Sequence, residues 1–276
     1  MANIINLVGL KLIILLIILL GFFYYLNQPK MVKMFDNETS SNITIVIVYD
    51  NNEYDEKLEI GFGFSCLVKL ENKNILFDTG GDSPTLLNNM NKLKIDPKEI
   101  DTIVLSHIHG DHVGGLSGFL EKNPNVTVYI PISFPKSFKD GIKSYGADFE
   151  DVDSPAKIFD GVYSTGELGT WIKEQSLIIK TEKGLIVITG CAHPGIVNIV
   201  KKSKELMKED VYLVTGGFHL SGTSDYEIKN IVESFRDMEV NKVAPCHCTG
   251  DRAISLFGEE YRDDYIESGV GKIIKI

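Results

Sequence analysis

The chain has 276 residues, 43% of them hydrophobic and 24% charged, and a formal net charge of -10. These figures sit inside the globular range and allow a large buried core. The acidic surplus argues against a nucleic-acid partner, because a phosphate backbone needs a basic face. It is larger still beyond residue 33, since Lys11, Lys30 and Lys33 are the only charged side chains before that point.

From Leu7 to Leu26 the chain is apolar apart from Gly9, Lys11 and Gly21. The run has no polar stripe, approaches the roughly 20 residues that span hydrocarbon, and ends in Phe22, Phe23, Tyr24 and Tyr25, rings suited to a membrane interface. No small-x-small cleavage site follows it. The expectation is an uncleaved transmembrane helix, with residues 1–33 as anchor and tether and residues 34–276 as the catalytic domain. Lys30 and Lys33 argue for a single-pass protein with a cytoplasmic domain, against Lys11. Cys66, Cys191, Cys246 and Cys248 show no paired spacing and read as free thiols in a reducing space, in keeping with that side.

After a polar stretch at 34–42, strand-like runs follow at Ile43 to Tyr49, Gly63 to Leu70 and Asn74 to Phe77, the last two flanking the turn Glu71-Asn72-Lys73. Pro84 to Leu93 reads as a helix with Ser83 as its N-cap. Later strand candidates are Thr102 to Leu105, Val126 to Ile130, Leu177 to Lys180, Leu185 to Thr189, Tyr212 to Val214 and Lys242 to Ala244. Helix candidates lie at Gly115 to Glu121, Ile196 to Met207, Ser224 to Asp237 and Asp251 to Gly258. Hairpins first and alternating strands and helices later suit a mixed α/β sandwich more than a doubly wound parallel sheet. Pro131 to Trp171 carries no readable motif.

The strongest local signal is Ser106-His107-Ile108-His109-Gly110-Asp111-His112, directly after a strand. Residues two apart on an extended segment point the same way, so His107 and His109 can approach one ion. Gly110 is expected to turn the chain sharply, which lets Asp111 and His112 reach a second position. Imidazoles with a carboxylate suit a hydrolytic or redox metal. All six histidines lie at or just beyond a strand end, three of them in Gly190-Cys191-Ala192-His193, Gly216-Gly217-Phe218-His219 and Pro245-Cys246-His247-Cys248. Chance placement would put some on helix surfaces. Cys246 and Cys248 flank His247, so alternation turns both toward the core as small buried hydrophobes, the preferred account for the three cysteines beside histidines; a thiolate zinc site on Cys-x-Cys competes with it only if Cys191 also turns inward.

His107-x-His109-x-Asp111-His112, the upstream Phe77-Asp78-Thr79-Gly80, His193 and His247 together resemble the metallo-β-lactamase superfamily. The resemblance implies a four-layer αββα sandwich and one or two divalent ions, zinc first, with manganese or iron as alternatives. It implies that His107, His109 and His193 hold the first ion and Asp111, His112 and His247 the second, with Asp78 bracing the ligand loop. The bridging Asp that many members carry after the strand ending at Thr215 is replaced here by Gly216-Gly217-Phe218-His219. His219 therefore stands open between ligating, facing the substrate and hydrogen-bonding nearby.

Gly-Gly-Phe-His, Gly-Cys-Ala-His-Pro-Gly and His-Cys-Thr-Gly resemble the branch whose named member is 7,8-dihydropterin-6-methyl-4-(β-D-ribofuranosyl)aminobenzene-5'-phosphate synthase. The implied activity is a hydrolase in which a metal-activated hydroxide attacks an ester, phosphoester or lactone, with Asp111 at the metals and His219 as general acid. A transferase of the synthase type is the second reading, and a non-enzymatic membrane-tethered metal sensor the third. The substrate is expected to be a small anionic or phosphorylated molecule, and Arg252, at the start of the helix after His247, is the candidate anion-binding residue. A surface ion pair is the competing role for Arg252.

Overall fold

In a computed structural model, residues 38–276 are described. The expected anchor and tether lie outside the described residues. The expectation of a membrane-spanning, single-pass chain with a cytoplasmic domain is corrected: among the described residues no helix is long and apolar enough to cross a membrane.

Thirteen strands are present among the described residues. The first half of the chain supplies β1 (Thr44–Tyr49), β2 (Ser65–Lys69), β3 (Asn74–Phe77), β4 (Thr102–Val104), β5 (Thr127–Pro131) and β6 (Asp148–Val152). The second half supplies β7 (Ala156–Phe159), β8 (Val162–Ser164), β9 (Leu177–Thr181), β10 (Gly184–Thr189), β11 (Val211–Gly217), β12 (Lys242–Cys246) and β13 (Ile273–Lys275). They form two sheets, in the orders β13-β1-β2-β3-β4-β5-β6 and β12-β11-β10-β9-β8-β7. The helices are α1 (Ser83–Lys92), α2 (Gly110–Val113), α3 (Leu116–Lys122), α4 (Lys136–Ser144), α5 (Ile196–Met207), α6 (Asp225–Asp237) and α7 (Asp251–Tyr261).

The period-2 alternation of β1 shows how the layers are built. Ile45 and Ile47 point into a core shared by both sheets, with Val68 and Phe77 from one and Ile179, Ile186 and Ile188 from the other. Val46 and Val48 point the other way, into a second core with Leu86 and Met90 of α1 and Phe119 of α3. On the second sheet α5 packs against β10 and β11, and α7 against β12. Helices thus cover the outer faces of two stacked sheets.

Two topological facts position the site. β3, β4, β5 and β6 run parallel, as do β10, β11 and β12. Loops leaving the carboxyl ends of parallel neighbours emerge on the same side, which is where functional residues of layered α/β folds collect.

Several local readings differ from the sequence-based expectation. The N-cap of α1 is Asp82, whose Oδ1 accepts from Thr85 N at 2.8 Å, rather than Ser83. The unreadable stretch after Pro131 contains α4, β6, β7 and β8. β6 is a mostly exposed edge strand, Asp-Phe-Glu-Asp-Val, so it has no apolar run to reveal it. Gly110 does not make a strained turn: it opens the short helix α2, and a Cβ there would meet nothing within 4 Å. The glycines that matter come later. A Cβ on Gly114 would lie 2.1 Å from Gly81 O, and one on Gly115 2.1 Å from Thr79 O. These two glycines let α2 press against the Asp78–Gly81 loop, an approach sealed by Gly114 N donating to Gly80 O at 2.9 Å and Thr79 N to His112 O at 2.7 Å.

Gly110→Ala should therefore leave thermal stability unchanged or raise it slightly, since alanine is the better helix former by up to about 1 kcal/mol. Gly115→Ala should lower it by about 1–3 kcal/mol through overpacking. Equal melting temperatures for the two variants would contradict this packing.

Candidate metal centre

Four loops deliver the histidines. The loop after β4 carries His107, His109 and His112, and those after β10, β11 and β12 carry His193, His219 and His247. The local backbone is unusual there: Asp78, Ala192, His219 and His247 all have φ between 50° and 63°. Such left-handed conformations are costly for non-glycine residues and persist where the surroundings over-determine them.

Two groups of donor atoms result. In the first, His107 Nε2 lies 3.0 Å from His109 Nδ1, and His193 Nε2 lies 3.2 Å from the same Nδ1. In the second, Asp111 Oδ2 lies 3.5 Å from His112 Nε2 and 3.4 Å from His247 Nε2. The groups adjoin, with the His107 and His112 ring centroids 4.2 Å apart. Bonds of about 2.0–2.2 Å from nitrogen and oxygen to a tetrahedral ion place its ligand atoms about 3.3–3.6 Å from one another, so both groups have roughly the spacing of a ligand set.

Hydrogen bonds fix which nitrogen each ring presents. Ser106 has one hydroxyl proton, which goes to Asp78 Oδ2 at 2.7 Å. Its oxygen therefore accepts from His107 Nδ1 at 2.9 Å, leaving the His107 Nε2 lone pair free. Asp78 Oδ2 also takes His112 Nδ1 at 2.7 Å, and Asn51 Oδ1 takes His247 Nδ1 at 2.7 Å. In each case Nε2 faces the donor group, the arrangement in which outer partners orient ligating imidazoles.

Electrostatics separate the two groups. Burial and the neighbouring imidazoles hold His107 neutral, with its pKa far below the usual histidine range, and the same causes push His193 down to about 4. Neutral rings are the form that binds a cation. Burial also opposes the charged form of His112, but the Asp78 and Asp111 carboxylates outweigh it and raise the ring to about 10. Asp111 itself is driven well below the ordinary carboxylate range: burial would raise it, and hydrogen bonds to His112 and His247 prevail. This corner of the site is built for positive charge.

Glu174 was not foreseen. Fully buried, it receives Gly190 N, Cys191 N and Ala192 N on Oε1 at 2.9–3.2 Å and His193 N on Oε2 at 2.8 Å. Burial raises its pKa to about 7 even against these amides. One carboxylate thus sets the course of the loop that carries His193. In sequence it stands in a polar stretch, Lys173-Glu174-Gln175, that looks like any surface loop.

The cysteines divide. Cys246 is buried between the sheets as alternation requires. Cys248 is not: His247 opens a 3-10 turn, the alternation ends, and Cys248 turns toward the site, where it forms a cluster of possible donors with Cys191 and His219. Cys191 also adjoins the second donor group. The reading of Cys248 as pointing to the core is corrected, while Cys191 is buried as expected but beside the histidines.

The centre opens on a cleft of about 780 Å³ lined by His193, His219, Trp171, Ile172, Lys201 and Lys202, among others. Trp171 is 93% exposed at its edge. His219 is exposed, its ring 4.4 Å from that of His193. Arg252 is elsewhere. It forms an exposed ion pair with Asp225, Nε to Oδ1 at 2.8 Å and a second contact from Nη2, and does not line this cleft. The surface ion pair, the competing role for Arg252, is the one its contacts show.

Comparison with known proteins agrees with this geometry. The family model described as the metallo-beta-lactamase superfamily matches residues 58–201. The chain belongs to the metallo-β-lactamase superfamily. It is 33% identical over 262 residues, 77% of this chain and 89% of the relative, to 7,8-dihydropterin-6-methyl-4-(β-D-ribofuranosyl)-aminobenzene-5'-phosphate synthase of Methanocaldococcus jannaschii. A crystal structure described as a metal-dependent hydrolase of the β-lactamase superfamily is 28% identical, with a TM-score of 0.72 over 85% of this chain and 99% of that one. The metallo-β-lactamase fold protein YhfI from Bacillus subtilis shares the fold at 11% identity, with a TM-score of 0.61 over 85% and 99% of the two chains.

Asp78→Asn keeps the shape of the side chain but loses the charge that braces His112 and, through Ser106, His107. Zinc affinity, measured by competition with a chromophoric chelator, should fall about 10- to 100-fold. An unchanged affinity would remove Asp78 from the account.

Proposed function

We propose that the protein is a divalent-metal-dependent enzyme that cleaves an ester, phosphoester or lactone bond in a small anionic molecule. His107, His109 and His193 would hold one ion, and Asp111, His112 and His247 a second, with zinc as the first choice. Bound there, a pair of such ions supplies a nucleophilic water at neutral pH and polarises the substrate oxygen. The observation that carries the reading is the convergence of two adjoining donor groups, one of whose members, His193, also lines the cleft of Lys201 and Lys202.

The residues of the chain divide the remaining work. Lys201 and Lys202 face the cleft with Glu205 as the one carboxylate among its lining residues, so the wall favours an anion. Trp171 offers an exposed ring for stacking on a planar group. His219 lies beside His193 at the mouth and is placed to give a proton to a leaving group. The neighbouring Cys248 side chain raises the His219 pKa, which keeps that proton available. Asp78 and Glu174 hold the loops without touching substrate.

A second reading is favoured by one specific observation, the 33% identity to a synthase over most of both chains. In that case the same wall would hold a phosphorylated substrate while an aromatic amine, stacked on Trp171, displaces the leaving group.

Zinc-loaded protein should be assayed against a phosphodiester, a lactone and a dihydropterin diphosphate, each with and without an aminobenzene acceptor. The hydrolase reading predicts turnover in water alone. Turnover only with the acceptor would replace it by the transferase reading, and no turnover of any substrate would contradict both. On the substrate turned over, Lys201→Ala with Lys202→Ala should raise KM about tenfold or more and change kcat less, as lost ground-state binding does.

A further inference from the structure

Cys191 is buried against the second donor group. Its Sγ lies 3.2 Å from His112 Nε2 and 3.4 Å from His247 Nε2. With Asp111 Oδ2 at 3.5 and 3.4 Å from the same two nitrogens, four atoms from four side chains are mutually within 4.8 Å. A tetrahedral ion with bonds of about 2.0 Å to nitrogen and oxygen and about 2.3 Å to sulfur has ligand edges of about 3.3–3.6 Å. The four spacings given lie within about 0.3 Å of those edges, and the remaining two pairs lie within 4.8 Å.

The backbone explains why a thiol is the donor here. At the end of β11, where a carboxylate could have projected toward the second group, the chain has Gly216 and Gly217. A Cβ on Gly217 would lie 2.4 Å from Gly190 O, 2.6 Å from Cys248 Sγ and 3.2 Å from His247 Cδ2, and one on Gly216 would lie 2.0 Å from Thr189 O. No side chain fits at that strand end. The neighbouring strand β10 runs parallel, one position over, and its loop delivers Cys191 to the same space. Glu174 then holds the Cys191 amide at 3.0 Å, which fixes where the thiol points.

We propose that Cys191 Sγ is the fourth protein donor of the Asp111, His112 and His247 group, replacing a carboxylate from β11. This rests on the metal-dependent reading given above. On binding, the S–H bond breaks, the proton passes to solvent, and a sulfur lone pair forms the bond to the ion. A thiolate donor makes this position softer than the three-imidazole group beside it. The second position should therefore take zinc, iron or cobalt in preference to manganese or magnesium.

Cobalt(II) titrated into the metal-stripped full-length chain tests this, because a sulfur ligand produces a near-ultraviolet charge-transfer band that nitrogen and oxygen ligands do not. The parent chain should show the band together with visible d–d absorption. Cys191→Ser should abolish the band and weaken uptake of the second ion by more than about tenfold, the least that loss of even an outer partner costs. Cys191→Asp should again take up two ions, without the band, which separates ligand loss from misfolding. Cys248→Ser should retain the band. Loss of the band in Cys248→Ser with its survival in Cys191→Ser would overturn the assignment in favour of the neighbouring thiol. Visible absorption without any sulfur band in the parent chain would overturn the Cys191 assignment alone. Absence of both would overturn the metal-dependent reading itself.

Discussion

The candidate site depends first on one buried carboxylate. Asp78 accepts the Ser106 amide at 2.6 Å, the Ser106 hydroxyl at 2.7 Å and His112 Nδ1 at 2.7 Å. It thereby sets the tautomer of a ring in each donor group, directly for His112 and through a hydroxyl for His107. A buried charge is costly unless its lone pairs are filled. Asp78 fills them with the groups whose orientation matters, so the expense of burying it and the ordering of the site are one arrangement.

The fold is what makes that arrangement possible. Two sheets packed on a shared aliphatic core leave the carboxyl ends of β4, β10, β11 and β12 delivering loops to one place. Glycines at 114, 115, 216 and 217 let the backbone come closer than any side chain would permit. Glu174 does for the His193 loop what Asp78 does for the His107 loop: each is a single acid that organises a stretch of backbone too irregular for sheet hydrogen bonding.

Much of this was legible in sequence and some was not, for physical reasons. Histidines at strand ends could be read because strands show period-2 apolar runs, and a ligand following such a run has a defined direction. The superfamily and its paired sheets followed from those motifs. Glu174 could not be read, since a buried acid in a polar stretch has the same composition as an exposed one. Cys248 departs from strand alternation because His247 enters a left-handed turn, and Cys191 follows β10 into a loop where alternation gives a side chain no direction. For Arg252, nearness to His247 in the chain gives no direction to the side chain, and the contact it makes is with Asp225. β6 escaped because an edge strand with one exposed face of acids has no hydrophobic signal.

The central claim is that imidazoles from distant loops converge their lone pairs on a common point. Anomalous diffraction from crystals of the zinc-loaded protein reads this directly. The account predicts one peak about 2.0–2.1 Å from His107 Nε2, His109 Nδ1 and His193 Nε2, and a second beside Asp111, His112 and His247. Zinc found only at other positions, with these three rings turned away from one another, would contradict it.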